Sequence, residues 1–263
     1  MIKILVTGAN GQMGQALRAI STDYTDVVFV FLNSMDLDIT NKEVCESILE
    51  KYQPDVVVNF AAYTAVELAE EEPEKAYAVN AFGVKLLSEL CQKSKITLVH
   101  ISTDYVFDGL KGKPYTTLDF PNPLNVYGAS KLKGEQYIQE NMKDYYIIRT
   151  SWVYSNYGKN FKRTMLELST KLDEIKVVDD QIGCPTSAED IGRAVMKCVL
   201  LKPSFGIYHY CGSDILSWYG FAKRIFKEKE IISSLLIPID SIDFKSKVRR
   251  PLYSVLEVSK IFE

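Results

Sequence analysis

At the start of the chain an apolar run gives way to three glycines at a fixed spacing, and that junction restricts everything that follows. Ile2-Lys3-Ile4-Leu5-Val6 has the composition of a parallel strand buried on both faces. Directly after it comes Thr7-Gly8-Ala9-Asn10-Gly11-Gln12-Met13-Gly14, which opens a helix over 12–20. Each glycine has a mechanical task. One permits the tight turn, one lets backbone approach a pyrophosphate, and one lets helix and sheet pack closely. The amides at the helix start then face negative phosphates. Three spaced glycines alone are a weak signal, but between a strand and an amphipathic helix they are a strong one.

The same alternation continues. Strands are expected over 27–32, 54–59, 96–101 and 145–150, with helices over 41–52 and 126–141 among them. Thr40 is the expected N-cap of the 41–52 helix, with Glu43 as its capping-box partner. Strands alternating with helices imply right-handed βαβ units, an α/β fold with a Rossmann-type doubly wound parallel sheet. After Thr150 the rhythm changes to an aromatic stretch (Ser151-Trp152-Val153-Tyr154), a polar loop, a helix over 161–172, a strand over 175–178 and a helix over 188–201. The expected division is a dinucleotide-binding domain over 1–150 and a smaller, mainly substrate-binding C-terminal lobe over 151–263. The segment of about 171–203 is expected to pack back on the first domain.

A second constellation lies in the middle of the chain. On a helix, Tyr127 and Lys131 are four residues apart and share one face. A phenol of ordinary pKa near ~10 is a poor acid at neutral pH, and a neighbouring ammonium makes its proton easier to give up. Ser102 and Thr103, at the end of an apolar run, can add hydroxyls to the same site. A Tyr–Lys pair at this spacing is by itself most often a solvated helix face; the glycine loop tips the reading toward a site.

Together these motifs resemble the extended short-chain dehydrogenase/reductase family. The fuller strings Ala61-Ala62-Tyr63-Thr64-Ala65-Val66, Ser102-Thr103-Asp104-Tyr105-Val106-Phe107-Asp108-Gly109, Pro123-Leu124-Asn125-Val126-Tyr127-Gly128 and Arg149-Thr150-Ser151-Trp152-Val153-Tyr154 are similar to those of the dTDP-4-dehydrorhamnose reductases within it. The resemblance runs through nearly the whole chain. It implies NAD(P)H-dependent reduction of the C4 ketone of a nucleotide sugar, dTDP-4-dehydro-L-rhamnose, to dTDP-L-rhamnose. It implies Thr103, Tyr127 and Lys131 as catalytic residues. Gly8, Asn10, Gly11, Gln12, Met13, Gly14, Asp38, Ile39, Ala61, Ala62, Tyr63 and Ser102, with Tyr127 and Lys131, would bind the cofactor. Thr64, Val66, Thr103, Asp104, Tyr105, Trp152, Arg249 and Arg250 would meet the substrate.

Two readings stay open for several of these. Trp152 either lines the sugar or packs in a core, and Arg249 and Arg250 either grip a diphosphate or are solvated surface. Asn80, where the family places an Asn that orders the active-site helix, has an equally good structural reading. The chain also departs from the family at Glu67 and Leu68, where Asp-Lys is common. The acidic run Glu67, Glu70, Glu71, Glu72 and Glu74 is expected to be the exposed start of a helix.

The residues after the second strand, Asn33-Ser34, are neutral. They lack both the acidic residue of an NAD-specific fold and a basic group for a 2′-phosphate. Both NADP(H) and NAD(H) are therefore expected to serve, with a modest preference for NADPH.

Composition removes other classes. A net charge of −3 with scattered Lys and Arg offers no broad basic field, so no nucleic-acid partner is expected. Two histidines, with no second ligand near either in sequence, give no metal site. Five widely spaced cysteines fit reduced thiols in a cytosol. The apolar residues after Met1 already belong to a strand and not to a signal peptide, and the longest apolar run near the start, 27–32, is too short for a membrane span, so a cytoplasmic location is expected. A homodimer is the partner the resemblance implies. Family members usually continue with one more helix than the residues ending at Phe262-Glu263, so a dimer contact made by that helix is not expected. Two alternatives remain: a non-enzymatic regulatory subunit of methionine adenosyltransferase, and a reductase or epimerase of another nucleotide sugar.

Overall fold

The computed structural model describes residues 1–262. Six strands form one all-parallel sheet. β1 (Ile2–Thr7), β2 (Val27–Phe31), β3 (Val56–Asn59), β4 (Thr97–Thr103) and β5 (Tyr145–Thr150) are joined by a strand from late in the chain, Gly206–His209. The spatial order places that late strand at one edge, then β5, β4, β3, β1 and β2. Alternate residues of each strand serve opposite faces. Leu5, Val57, Leu98 and Ile147 join the core under α2 (Lys42–Tyr52), α5 (Val84–Ser94) and α6 (Val126–Asn141). Ile4, Val6, Val58, Val99 and Ile148 face α1 (Gln12–Ile20) and α8 (Ala188–Leu201) on the other side. Each such side chain, fully buried, contributes about 1.5–3 kcal/mol.

Between β3 and α5 the chain forms α3 (Val66–Ala69), then α4 (Pro73–Tyr77), which runs into a π-helical segment over Ala78–Gly83. A π segment widens the helix by one residue and is favoured at functional sites. Here it turns Asn80 inward, where Asn80 is fully buried.

The rest of the chain adds β6 (Val153–Tyr154), α7 (Phe161–Leu168), β7 (Glu174–Val178), β8 (Ile182–Gly183) and β9 (Thr186–Ser187) before α8. After α8 come β10, the late strand at Gly206–His209, then β11 (Leu216–Ser217), α9 (Trp218–Glu228) and β12 (Leu235–Ile239). Met165, Ile175, Val177, Phe221, Ile225 and Phe226 make a separate small core between α7, α9 and the parallel pair β7–β12. α8 lies on α1, with Gly192 set against Ile20 and Leu17.

Several details differ from the sequence reading. The N-cap of α2 is Asn41, whose Oδ1 accepts from Val44 N at 3.1 Å, while Thr40 Oγ1 donates instead to Asp38 Oδ1. β4 runs on to Thr103, so Ser102 and Thr103 belong to the strand. α7 ends at Leu168. β10 enters the main sheet from beyond the segment expected to return to it. Among the described residues, no helix is long and apolar enough to cross a membrane.

Candidate active site

The strand order reverses between β1 and β3, and in sheets of this kind ligands bind outside the carboxyl ends at that point. The amino end of α1 opens there. Its N-cap, Gly11, provides no side-chain cap, and its first turn holds no acidic residue, so free amides and partial positive charge face the crevice. Gly8 sits at φ +62, and a Cβ there would come 2.7 Å from Ala61 N. A Cβ on Gly14 would come 2.5 Å from Ala9 Cα. The loop therefore has the close-packed, uncapped form that fits a dinucleotide pyrophosphate.

The other residues expected at the cofactor lie around this loop. Asn10 is exposed and Met13 half-buried. Gln12 holds the loop to the lobe, its Nε2 donating to Val153 O at 3.2 Å and its Oε1 accepting from Asn160 Nδ2 at 2.8 Å. Asp36 closes the turn after β2 by accepting from Asn33 N at 3.1 Å. Asp38 is exposed and Ile39 is buried against Gly83. Ala61, Ala62 and Tyr63 leave the end of β3 half-buried, and Asn80 clamps Tyr63 by accepting from its N at 2.9 Å and donating to its O at 3.0 Å.

Thr103 and Tyr127 come together at the end of β4, and Lys131 reaches the same strand at Ile101. Thr103 Oγ1 donates to Asp104 Oδ1 at 3.0 Å and accepts from Tyr105 N at 3.1 Å. Burial pushes the Tyr127 phenol up to about 12, while the neighbouring Thr103 hydroxyl draws it down and the Asp104 charge adds to the rise. The residue as a whole is only half-buried, so water still reaches the site and weakens the upward push. The Tyr105 ring meets Tyr127 edge-on at 5.9 Å. Asp104 is buried, and its carboxyl rises to about 7 for that reason, partly offset by hydrogen bonds that include Thr103. Ser102 Oγ, Asp104 Oδ2 and Thr150 Oγ1 are buried without a hydrogen-bond partner among the described residues. Such orphans are costly unless a ligand meets them.

Lys131 does not point at Tyr127. Its Nζ donates to Ile101 O at 2.6 Å and lies 3.1 Å from His100 Nε2. Burial lowers it to about 8, with the Glu135 carboxylate pulling the other way. Glu135 is itself paired in the interior with Arg149, at 2.6 Å. The sequence reading considered His100 only as a metal ligand. Its place beside Lys131 depends on the packing of α6 over β4, which no local pattern announces.

On the substrate side, Thr64 is exposed and Val66 half-buried at the start of α3. Trp152 sits at φ +46, with its ring stacked on Trp218 at 3.5 Å and 4°. Trp218 was not among the expected site residues. The signal for it was slight: it is the other of two tryptophans, in the stretch assigned to the lobe. Arg249 is exposed, and its carbonyl accepts from Asn125 Nδ2 at 3.0 Å. Arg250 Nη2 donates to Glu67 Oε1 at 2.5 Å. The acidic run is not simply a solvated helix start. Glu67 holds Arg250, Glu70 accepts from Val126 N at 2.8 Å, and Glu71 pairs with Lys247 at 2.7 Å. Among the described residues, no group of His, Cys, Asp or Glu could hold a metal ion.

The family described as RmlD substrate binding domain matches residues 2–263. A dTDP-4-dehydrorhamnose reductase of Sinorhizobium fredii is 41% identical over 269 residues, spanning 99% of this chain and 90% of the relative. The crystal structure of a dTDP-4-dehydrorhamnose reductase from Clostridium acetobutylicum superposes with a TM-score of 0.94 at 40% identity, covering 98% of this chain and 90% of that one. The Bacillus anthracis dTDP-4-dehydrorhamnose reductase, in complex with NADP, gives 0.93 at 36% identity, covering 98% and 92%. From these matches over nearly its full length, the chain belongs to the dTDP-4-dehydrorhamnose reductase family.

Proposed function

We propose that the chain reduces the C4 ketone of dTDP-4-dehydro-L-rhamnose to dTDP-L-rhamnose, using NADPH or NADH. The observation that carries this is the Tyr127 phenol beside the Thr103 hydroxyl at the end of β4, with Lys131 one turn further along the same helix and anchored on Ile101 O of that strand. A bound nicotinamide cofactor would supply the hydride that adds to C4 of the sugar.

Tyr127 gives its phenolic proton to the oxygen that becomes the C4 hydroxyl. A phenol pushed up by burial is a weak acid, but a developing alkoxide is a much stronger base than phenolate, so the transfer runs downhill. Thr103 orients that oxygen or the phenol. Lys131, once turned into the crevice, favours the phenolate left behind. A positioned acid of this kind contributes typically about 10²- to 10⁴-fold, and orientation of the ketone adds much of the remainder.

The 1–150 part binds the cofactor in this reading, and most of 151–263 supplies the walls for the sugar and base. Trp152, backed by Trp218, offers a flat apolar face for them. Five buried free cysteines suit the reducing cytoplasm that this chemistry implies. A panel of nucleotide 4-keto sugars differing in base and in sugar, ranked by kcat/KM with NADPH, tests the assignment. The dTDP-linked 4-dehydrorhamnose is expected to lead, and a better substrate with another base or sugar would replace it.

A further inference from the structure

Thr7, Asn59 and His100 stand at the same level on three adjacent strands, Thr7 paired with Asn59 and Asn59 with His100. All three are buried to within 1% of full burial, and His100 faces Lys131 of α6. The bonds along this line have only one self-consistent direction. Ala61 N donates to Asn59 Oδ1 at 3.2 Å, as does Thr7 Oγ1 at 2.6 Å. Ala61 N also donates to Thr7 Oγ1 at 3.1 Å, so a flipped amide would leave the Thr7 hydroxyl proton without its acceptor, and Asn59 presents Nδ2 to His100 Nδ1, 3.0 Å away. A neutral imidazole carries one N–H. With Nδ1 accepting, the proton is on Nε2, and it points at Lys131 Nζ, 3.1 Å away. A primary amine can accept that bond and still donate to Ile101 O. An ammonium, with three donors and no lone pair, cannot.

We propose that His100 is a positioning residue that, in mildly alkaline solution, donates its Nε2–H to Lys131 as a neutral amine in the cofactor-free chain, so that cofactor binding, which draws Lys131 to the nicotinamide ribose, is coupled there to uptake of up to one proton from solvent by that amine. The inference rests on the nicotinamide-cofactor reading of the site. The other charged or titratable groups around Lys131 are Tyr127 and Glu135 on its own helix, Arg149 on β5, which neutralises Glu135, and Asp104 past the end of β4. None of them supplies a donor to the amine in place of His100. Burial by itself holds His100 well below its ordinary pKa, which keeps the imidazole neutral as the network requires.

The test is calorimetric titration with NADPH at about pH 8.5 in two buffers of different ionisation enthalpy, which reads protons taken up per cofactor bound. With Lys131 at about 8 before binding and near its ordinary value of about 10.4 after it, uptake of roughly 0.7 proton is expected. Asn59→Asp keeps the acceptor for Thr7 and Ala61 but favours the tautomer with the proton on Nδ1, which donates to the new carboxylate; Nε2 then accepts from Lys131, which takes its proton from solvent and is an ammonium before cofactor arrives. His100→Gln removes the fixed donor. Both variants are expected to bind with uptake cut to below about 0.3 proton. Native uptake below about 0.2, or unchanged uptake in a variant that still binds, would overturn the proposal. If a variant fails to fold, the other variant and the native measurement still decide. Native protein that binds neither NADPH nor NADH would overturn the cofactor reading and this inference with it, whereas binding without proton uptake removes this inference alone.

Discussion

Gly134 of α6 lies so close to Asn80 that a Cβ on it would come within 2.2 Å of the Asn80 carbonyl oxygen. That approach sets the helix carrying Tyr127 and Lys131 against the π segment. It also lets Asn80 Nδ2 reach Ser130 Oγ at 3.0 Å. Gly134→Ala must push the two apart, because the obstructing atom is backbone. The expected result is a loss of about 1–3 kcal/mol in stability with a fall in kcat, read from denaturant midpoints and initial rates. Unchanged values for both would remove this contact as the support of the site.

Tyr127→Phe keeps the ring and its edge-on contact with Tyr105 while deleting the proton donor. Turnover is expected to fall by at least about a hundredfold, with the dissociation constant for NADPH nearly unchanged. A variant that keeps more than about a tenth of the native rate would take Tyr127 out of the acid role.

Cofactor choice follows from the end of β2. Asn33 and Ser34 bring no charge there, and Asp36 is occupied in closing the turn through Asn33 N. Nothing in that turn repels a 2′-phosphate strongly or grips it. Both cofactors are expected to work, with a modest preference for NADPH in kcat/KM. A preference for NADH above about a hundredfold, near 2.7 kcal/mol, would contradict this.

Acid should unfold the cofactor-free chain in a graded way. Burial, then the charge of Lys131, holds His100 well below its ordinary pKa. Burial, then Arg149, holds His209 at about 3. As pH falls below about 6.5 the unfolded chain protonates both histidines and the folded chain does not, so stability drops. Asp104 works in the opposite direction. Its carboxyl is raised to about 7 by burial, so the folded chain gains a proton that the unfolded one takes up only near ~3.9. Two groups against one leave a net loss of about 1.4 kcal/mol per pH unit between about 6 and 4.5. Urea midpoints at those two pH values measure it, and an equal or higher midpoint at the lower pH would refute it.

Local patterns were enough for α1, α6, β5 and α8, whose observed bounds match the periodic segments of the sequence. Cap chemistry was harder, because Thr40 and Asn41 both offer an oxygen to the start of α2, and Asp38 takes the Thr40 hydroxyl. β10 is four residues, opened by Gly206 at φ +147, and too short for alternation to show. The site itself is divided in the same manner. The glycines and the Tyr127–Lys131 spacing are local and stood out, whereas the direction of Lys131 is set by His100 and the Ile101 carbonyl on β4, beneath the helix that carries it. Likewise, Glu67 meets Arg250 across 183 residues of chain, and no run of adjacent residues encodes that pairing.

The most direct measurement is the fall in NADPH absorbance when the purified chain, with no other protein present, is given dTDP-4-dehydro-L-rhamnose. The account predicts oxidation of one NADPH per dTDP-L-rhamnose formed. No turnover, together with tight binding to a methionine adenosyltransferase, would contradict it.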